Sequence, residues 1–497
     1  MYLPLGKYSP DIKIGLVGAS RDCFPRALAE KRINSLQKEL TKRSIDYFFP
    51  EGESQIIESR SHAREAADQM KQAGCDAAVL YLGNFSPEIE DATFVKEFSG
   101  KVMLAAAAEE SSDDLIDGRG DALCGLLSAM LAMKNRDFIS RIYLPENPVT
   151  LPPEIAEAIT HFVKVMKVVK GISHATIALF GPRPRDFETC SYNIASLLSI
   201  GIEIEELGFF DLANKIEQIN MDLVGEIVED MKDQVRVIDD DEFLNRLGAY
   251  EKAILKFRED LRLSGMTSQC WSEQEYKLRH VPCFLHGRLA SQGFPIACEN
   301  DAYSTVAELM GQYATDESVT ILDINHTIPD DFNIRIEGID NRDIVGMFHC
   351  GNTDPGRLKN PEMKSQIIMK RLMEPEIAPD ITRGTIEGQI SASPITVCQI
   401  HGMRDRLHAY IIEGEFLDLD PKTFGCTGTA HLPGFRRFYR HVILGRFHHH
   451  AVVAFKHCGD VLFDAFKLLG VEKTYTPFPE SIPYPGENVF VTGKAGK

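Results

Sequence analysis

Two acidic residues, each directly after a short apolar run, are the part of this sequence best suited to chemistry. Glu299 follows the strand-like run Phe294–Cys298, and Asp323 follows a second such run, Val319–Leu322. Between them, apolar residues at helical spacing predict a helix over Ala302–Tyr313. A strand–helix–strand unit of this length predicts two neighbouring parallel strands, which end at the same edge of their sheet. Glu299 and Asp323 should therefore lie together at that edge.

Two carboxylates at one edge repel each other unless a cation or a shared proton offsets their charge. An oxygen-rich site of this kind suits Mn²⁺ or Mg²⁺. The competing interpretation is that Glu299 caps the following helix and Asp323 begins a turn, since acidic residues are common in both places. Spacing alone favours the capping interpretation, so the choice depends on other residues of the chain.

Three consecutive histidines, His448, His449 and His450, stand where another strand is predicted to begin. Imidazole is the usual partner of carboxylates at a transition-metal site. Alternating side-chain directions along a strand would place His449 on the opposite face from its two neighbours. A solvent-exposed turn is the competing interpretation of this triplet.

Two further residues are candidates for contacting an ion or a sugar. His349 follows the strand-like run Asp343–Phe348, and its other interpretation is an ordinary hydrogen-bonded histidine. The adjacent Cys350 has no base paired with it in the sequence, which disfavours a nucleophile. Trp271, the single tryptophan, follows another predicted strand end, where it could stack on the apolar face of a sugar or pack in the core.

Bulk properties exclude several classes of protein. The net charge of −19 disfavours nucleic-acid binding, which needs a basic surface. No apolar stretch is long enough for a membrane helix, and the N-terminus lacks the layout of a signal peptide. The eleven cysteines form no C-x-x-C pair, which favours reduced thiols over disulfides or a zinc ribbon. Together these features predict a cytoplasmic protein that contacts neither nucleic acid nor membrane.

At 497 residues the chain is too long for one hydrophobic core, and two or three domains are expected. Alternating strands and helices begin at Lys13–Gly18 and begin again at His174–Phe180, which predicts two α/β domains with doubly wound parallel sheets. We place the N-terminal domain at residues 1–170 and the central domain, which carries the carboxylates, at residues 171–355. The remaining β-rich segments predict a mainly antiparallel β domain over residues 356–497.

Five segments, in order along nearly the whole chain, resemble the L-fucose isomerase/L-arabinose isomerase superfamily. They are Lys13–Arg26, Ala122–Ser128, Gln269–Trp271, Pro295–Ala302 with Thr320–Ile324, and His448–Val453. The spacing of Glu299 and Asp323 is similar to that of the L-fucose isomerase-like branch. The resemblance implies two α/β domains and a C-terminal β-rich domain. It also implies a metal-dependent aldose–ketose isomerase that interconverts a pentose or 6-deoxyhexose with its ketose through a cis-enediol.

The same resemblance implies roles for particular residues. Glu299 and Asp323 would bind Mn²⁺ or another divalent cation and act as acid and base, with His449 as the histidine ligand. The family builds its site between subunits, so a homo-oligomer is expected, hexameric or else trimeric. The expected sugar contacts are Trp271, Gln269, His349, Asn352, and, from a neighbouring subunit, Arg21 and Phe24.

Two other functions stay open from the sequence. One is different metal-dependent enediolate chemistry, such as aldol-type cleavage of a sugar derivative, and the other is non-catalytic sugar binding. The sequence does not decide which of the three consecutive histidines binds the ion or whether His349 is a ligand. It also leaves open which carboxylate is the base, which sugar is used and whether that sugar is anionic.

Overall fold

Three β-sheets organise the part of the chain that the structure describes, and two of them are parallel while the third is mostly antiparallel. The computed structural model describes residues 1–116, 118–332, 336, 338–369, 379–403, 406–478 and 487–492. Asp11–Val169 makes up most of one compact unit, and Lys170–Phe466 makes up most of the other. The predicted fold class, α/β with parallel sheets and a C-terminal antiparallel sheet, is confirmed.

The first sheet has seven parallel strands and belongs to the unit formed mostly by Asp11–Val169. Its strands are β1 (Ile14–Ala19), β2 (Tyr47–Phe48), β3 (Ile56–Ile57), β4 (Ala77–Leu82), β5 (Lys101–Ala107), β6 (Ile142–Tyr143) and β7 (Val149–Thr150). The central strands β1, β4 and β5 are continuous apolar runs and are buried, as expected where helices cover both faces of a parallel sheet. The helices in this stretch are α1 (Arg26–Lys42), α2 (Arg60–Gln72), α3 (Glu88–Phe98), α4 (Ala122–Lys134) and α5 (Pro152–Ser173).

The second sheet has four parallel strands in the order β11-β10-β8-β9. They are β8 (Thr176–Phe180), β9 (Glu203–Leu207), β10 (Gly265–Ser268) and β11 (Ile296–Cys298). The helices of this stretch are α6 (Ile194–Leu198), α7 (Phe209–Glu217), α8 (Gly225–Gln234), α9 (Asp241–Leu261), α10 (Glu275–Leu278), α11 (Cys283–Ala290) and α12 (Ala302–Thr315). β11 is therefore an edge strand, and Glu299 is the first residue after it.

The third sheet has nine strands, and most neighbouring pairs in it are antiparallel. They are β12 (Val319–Thr327), β13 (Ile344–His349), β14 (Leu358–Ser365), β15 (Arg383–Ile390), β16 (Ser393–Met403), β17 (Arg406–Leu417), β18 (Cys426–His431), β19 (His450–Ala454) and β20 (Lys473–Tyr475). The helices in this stretch are α13 (Phe435–Leu444), α14 (Gly459–Leu469) and α15 (Val489–Thr492). Within the described ranges, no helix combines the length and the apolar character needed to cross a membrane.

The expectation that Glu299 and Asp323 end neighbouring parallel strands of one sheet is wrong. β11 belongs to the four-stranded sheet, whereas β12 belongs to the nine-stranded sheet and is antiparallel to β13 and β19. The intervening helix α12 packs against strands of both sheets, which explains why it is buried along almost its whole length. A local strand–helix–strand pattern does not reveal that the second strand pairs with segments much further along the chain.

Candidate active site

Glu299 follows β11 in an unusual backbone conformation. Its φ is 60° and that of Asn300 is 61°, so two consecutive non-glycine residues are left-handed. Such residues cost about 1–3 kcal/mol each and often occur at functional sites. Next in the chain, the Asp301 carboxylate caps α12 by accepting hydrogen bonds from the backbone N–H of Ser304 at 3.1 Å and from its hydroxyl at 2.6 Å. Because Asp301 is the cap of α12, the capping interpretation of Glu299 is wrong.

Asp323 lies inside β12, with partner strands on both sides. It is opposite Phe348 of β13 and opposite His450 of β19. β12 continues to Thr327, so the interpretation of Asp323 as the start of a turn is also wrong. His349 is the last residue of β13, and His450 is the first residue of β19. Strand pairing thus brings one carboxylate and two imidazoles to the same part of the sheet.

His450 lies between the two predicted metal ligands. Its Nε2 atom is 3.1 Å from Glu299 Oε2 and 3.8 Å from Asp323 Oδ1. On the other side of the ring, Nδ1 donates a hydrogen bond to Asp301 Oδ2 at 2.8 Å. This donation fixes the ring orientation and directs Nε2 towards Glu299 and Asp323. The side chain of His450 is only 1% exposed, so water does not compete for these contacts.

The other two histidines precede β19, so the predicted alternation does not apply to them, and the ring of His449 lies only 4.4 Å from that of His450, centroid to centroid. His448 is buried, and its Nε2 lies 3.3 Å from Asp301 Oδ2. Its Nδ1 accepts a hydrogen bond from the backbone N–H of His450 at 3.1 Å. His449 is 39% exposed, and its Nε2 lies 3.9 Å from Asp323 Oδ1. Of the three consecutive histidines, His450 is therefore the one placed deepest between the carboxylates.

Glu299, Asp301, Asp323, His349 and His450 together form what is called the centre below. Its electrostatics favour a positive charge between these side chains. Burial raises the pKa of Asp323 to about 7, with a further contribution from the charge of Glu299. Burial alone would lower the pKa of His450, but its contacts with Asp301 and Glu299 raise that pKa well above the usual range. Burial lowers the pKa of His349 to about 3, so its ring is neutral. Bound protons reduce the repulsion between the crowded carboxylates, and a divalent cation could take the place of those protons.

Two buried atoms of the centre lack a hydrogen-bond partner among the described residues, namely Asp323 Oδ1 and His349 Nδ1. Because buried polar atoms normally have a partner, such atoms are candidates for binding an ion. Three sets of side chains in the described ranges hold ligand atoms within 4.8 Å of one another, and His450 belongs to all three. The sets are Asp323–His349–His450, Cys190–Glu299–His450 and Asp301–His448–His450. Oxygen and imidazole nitrogen together suit a first-row divalent cation.

Two cavities open beside the centre. The first has a volume of about 430 Å³ and is lined by polar groups, including Arg183, Tyr192 and Asn300, the residue after Glu299. The second has a volume of about 380 Å³ and lies between β12, β13 and α13, with His449 in its wall. Both volumes fall in the range of about 300–1,000 Å³ that small-molecule sites occupy. Either cavity is therefore large enough for a monosaccharide next to the centre.

Matches to family models agree with this geometry. Residues 15–173 match the model described as fucose/sulfoquinovose isomerase, N-terminal domain, and residues 347–476 match that of L-fucose isomerase, C-terminal domain. The chain belongs to the fucose isomerase family. The resemblance seen in the sequence is thereby confirmed, and this protein is an aldose–ketose isomerase, an intramolecular oxidoreductase. No curated protein matches the chain at a significant level.

Three of the predicted sugar contacts of this isomerase are Gln269, Trp271 and Asn352. Gln269 follows β10, and its backbone N–H donates to the carbonyl of Phe180 at 3.2 Å. The backbone of Trp271 lies in a π-helical turn, Cys270–Gln274, and its side chain is outside the described part of the structure. Asn352 is buried, and its amide atoms have no hydrogen-bond partner among the described residues. All three assignments to the sugar stay predictions.

Arg21 and Phe24 follow β1 in the unit formed mostly by Asp11–Val169. The guanidinium of Arg21 lies 4.3 Å from the ring centroid of Phe85 and forms an ion pair with Glu88. Phe24 stacks on the same Phe85 ring, with the two centroids 6.1 Å apart. An aromatic and cationic surface of this kind can contact a sugar. That Arg21 and Phe24 contact the sugar bound by a neighbouring subunit stays a prediction.

Sequence reasoning missed Asp301 of the centre and Cys190 beside it. Asp301 had a detectable signal, because an acidic residue directly before a helical pattern is a typical N-cap. Cys190 had none, since it ends a short 3₁₀ helix, Glu188–Cys190, with no motif around it. Burial raises the pKa of its thiol, and the charges of Asp301 and Glu299 raise it further.

Proposed function

We propose that this isomerase interconverts a pentose or 6-deoxyhexose with its ketose through a cis-enediol, using a divalent cation held by Glu299, Asp323 and His450. The observation that supports it most is the position of His450 Nε2, 3.1 Å from Glu299 and 3.8 Å from Asp323. His349 has a neutral ring in the same group of side chains and is proposed as a further ligand or a sugar contact. Mn²⁺ is the proposed ion because carboxylates supply much of the ligand set.

The two carboxylates can also perform the proton transfers. Isomerisation takes a proton from the carbon next to the carbonyl and returns one to the neighbouring carbon, while another proton moves between O1 and O2. When bound, the cation would stabilise the negative charge that develops on O1 and O2, an effect of several kcal/mol. Glu299 and Asp323 would each accept and donate protons, which contributes about 10²–10⁴-fold in rate. Asp301 holds Nδ1 of His450 and so keeps that ring oriented.

The cavity of about 430 Å³ is the proposed position of the sugar. It begins at Asn300, directly beside Glu299, and its wall contains the hydrogen-bonding side chains of Arg183, Tyr192 and Glu206. These side chains include hydrogen-bond donors and acceptors, and sugar hydroxyls can pair with both kinds of group.

Removing the cation is expected to abolish ketose formation, and adding Mn²⁺ to restore it. A panel of pentoses and 6-deoxyhexoses, assayed by NMR for ketose before and after chelation, tests this directly. The matched control is the same panel with Ca²⁺, which prefers more oxygen ligands and no imidazole. Aldehyde fragments in place of ketose would favour aldol-type cleavage. Mn²⁺ binding without exchange of the C2 proton with solvent would favour a non-catalytic sugar-binding protein.

A cytoplasmic location is proposed from the cysteines. All eleven are free thiols, and a reducing compartment keeps thiols in that state. Measuring activity in the soluble and membrane fractions of cells that make the protein tests this location.

A homo-oligomer, a hexamer or else a trimer, is proposed from exposed apolar side chains. Leu123, Leu127 and Leu131 stand on successive turns of α4 and are 57%, 67% and 60% exposed. In the other unit, Ile443 and Leu444 of α13 are 65% and 73% exposed. Contiguous apolar surface of this kind marks a protein–protein interface, and a second copy of the chain is the proposed partner.

Leu127→Glu is expected to produce a smaller species than the wild type, because it places a charge in the middle of the apolar stripe on α4. Light scattering coupled to size-exclusion chromatography measures the mass. Asn34→Glu, at an exposed position of α1, introduces the same charge outside the stripe and should keep the wild-type mass. Equal masses for all three proteins would exclude the α4 stripe as a subunit interface.

A further inference from the structure

One thiol lies among the proposed cation ligands. Sγ of Cys190, a carboxylate oxygen of Glu299 and a ring nitrogen of His450 all lie within 4.8 Å of one another. Cys190 is buried, at 2% exposure, and it also lines the cavity proposed for the sugar. The thiol is therefore positioned both beside the ion and beside the substrate.

We propose that Cys190 is an additional ligand with which this centre captures thiophilic divalent ions such as Zn²⁺ and Cd²⁺. Oxygen-preferring Mn²⁺ would use the carboxylates and His450, whereas a softer ion would also recruit the sulfur. On binding, the S–H bond of Cys190 breaks, its proton passes to the buffer, and the thiolate forms a coordinate bond to the ion without any change of oxidation state.

The surroundings of Cys190 differ from those of an ordinary buried cysteine. Cys398 lies inside β16, and its thiol pKa is raised to about 12 by burial alone, with no charged neighbour contributing. Cys190 instead faces the charges of Asp301 and Glu299. Cys398 is therefore a matched buried thiol without the proposed role.

Recruitment of Cys190 would change what the centre can do. With Glu299 and His450 it forms a set of three protein ligands whose atoms lie within 4.8 Å of one another. A catalytic site keeps an open position for substrate, and a thiolate bound to the ion would occupy a position that the sugar oxygens need. The isomerase would then be active or inhibited according to which ion occupies the same centre.

Titration of the chelator-stripped, full-length protein with CdCl₂ tests this proposal. The wild type and Cys398→Ser should both develop a near-ultraviolet thiolate-to-metal charge-transfer band that saturates at one equivalent. Cys190→Ser should lose the band and bind Cd²⁺ more weakly. Because loss of mere supporting partners of a metal ligand typically costs about 10–100-fold in affinity, loss of a direct ligand should weaken Cd²⁺ binding at least tenfold. A band that persists in Cys190→Ser would overturn the assignment.

Because the proposal rests on the proposed cation site, Mn²⁺ binding is measured in parallel by electron paramagnetic resonance. If the wild type binds Mn²⁺ but gives no band with Cd²⁺, the role of Cys190 is wrong and the cation site stands. If the wild type binds neither ion, both proposals are wrong. X-ray absorption of the Cd²⁺-loaded wild type needs no variant: one sulfur neighbour is expected, and oxygen and nitrogen neighbours alone would contradict the proposal.

Discussion

Glu299→Gln is expected to abolish measurable turnover while leaving the protein folded. The glutamine keeps the size of the side chain but cannot accept and return a proton, and it removes one negative charge from the cation centre. Loss of acid–base catalysis alone should reduce kcat by about 10²–10⁴-fold, and the weaker hold on the ion adds to that loss. Ketose formation and exchange of the C2 proton with solvent are the measurements, since both need the same proton transfer.

Glu308→Gln is the matched control for this variant. Glu308 is a fully buried glutamate of α12, and burial, followed by the charge of Asp301, raises its pKa well above the usual range. Burial therefore favours the neutral form of this side chain, which glutamine resembles in both shape and charge. Turnover close to the wild type in Glu308→Gln and none in Glu299→Gln would assign the loss to position 299. Wild-type turnover in Glu299→Gln would refute the role of that carboxylate.

The first parallel sheet could be predicted from the sequence because its central strands are local and apolar on both faces. β1, β4 and β5 read as uninterrupted apolar runs followed by helices, and this pattern leaves few alternatives. The sheet to which β12 belongs could not be predicted in this way. Its partners β13 and β19 lie further along the chain, and strand pairing depends on tertiary contacts that a local pattern does not contain.

The same limit applied to the residues of the centre. Glu299 and Asp323 were noticeable because each follows an apolar run, and that signal survives although their strands lie in different sheets. The N-cap pattern marks Asp301 only as a helix start, and Cys190 carries no signal, because their contacts with His450 join segments distant in sequence. Alternation predicted that His449 faces away from its neighbours, but β19 begins only at His450, and the rings of His449 and His450 both approach Asp323.

The choice between His449 and His450 leads to the second prediction with a large effect. His450→Gln is expected to lose Mn²⁺ binding and turnover together, because Nε2 of His450 is the nitrogen nearest to both Glu299 and Asp323. His449→Gln should keep Mn²⁺ affinity close to the wild type, since that ring is 39% exposed and 3.9 Å from Asp323. Mn²⁺ binding by electron paramagnetic resonance and steady-state kinetics measure the two effects separately.

The hydrogen bond from His450 to Asp301 is the physical reason to expect this order. A histidine ligand usually donates its second ring N–H to a carboxylate, which fixes the tautomer and makes the other nitrogen a better donor to the ion. His450 has such a partner at 2.8 Å, whereas His449 contacts a carboxylate that is itself a proposed ligand. If His449→Gln lost Mn²⁺ and His450→Gln retained it, the ligand would be His449, as the family resemblance implied. The pairing of His450 with Asp301 would then serve only to hold β19 against the start of α12.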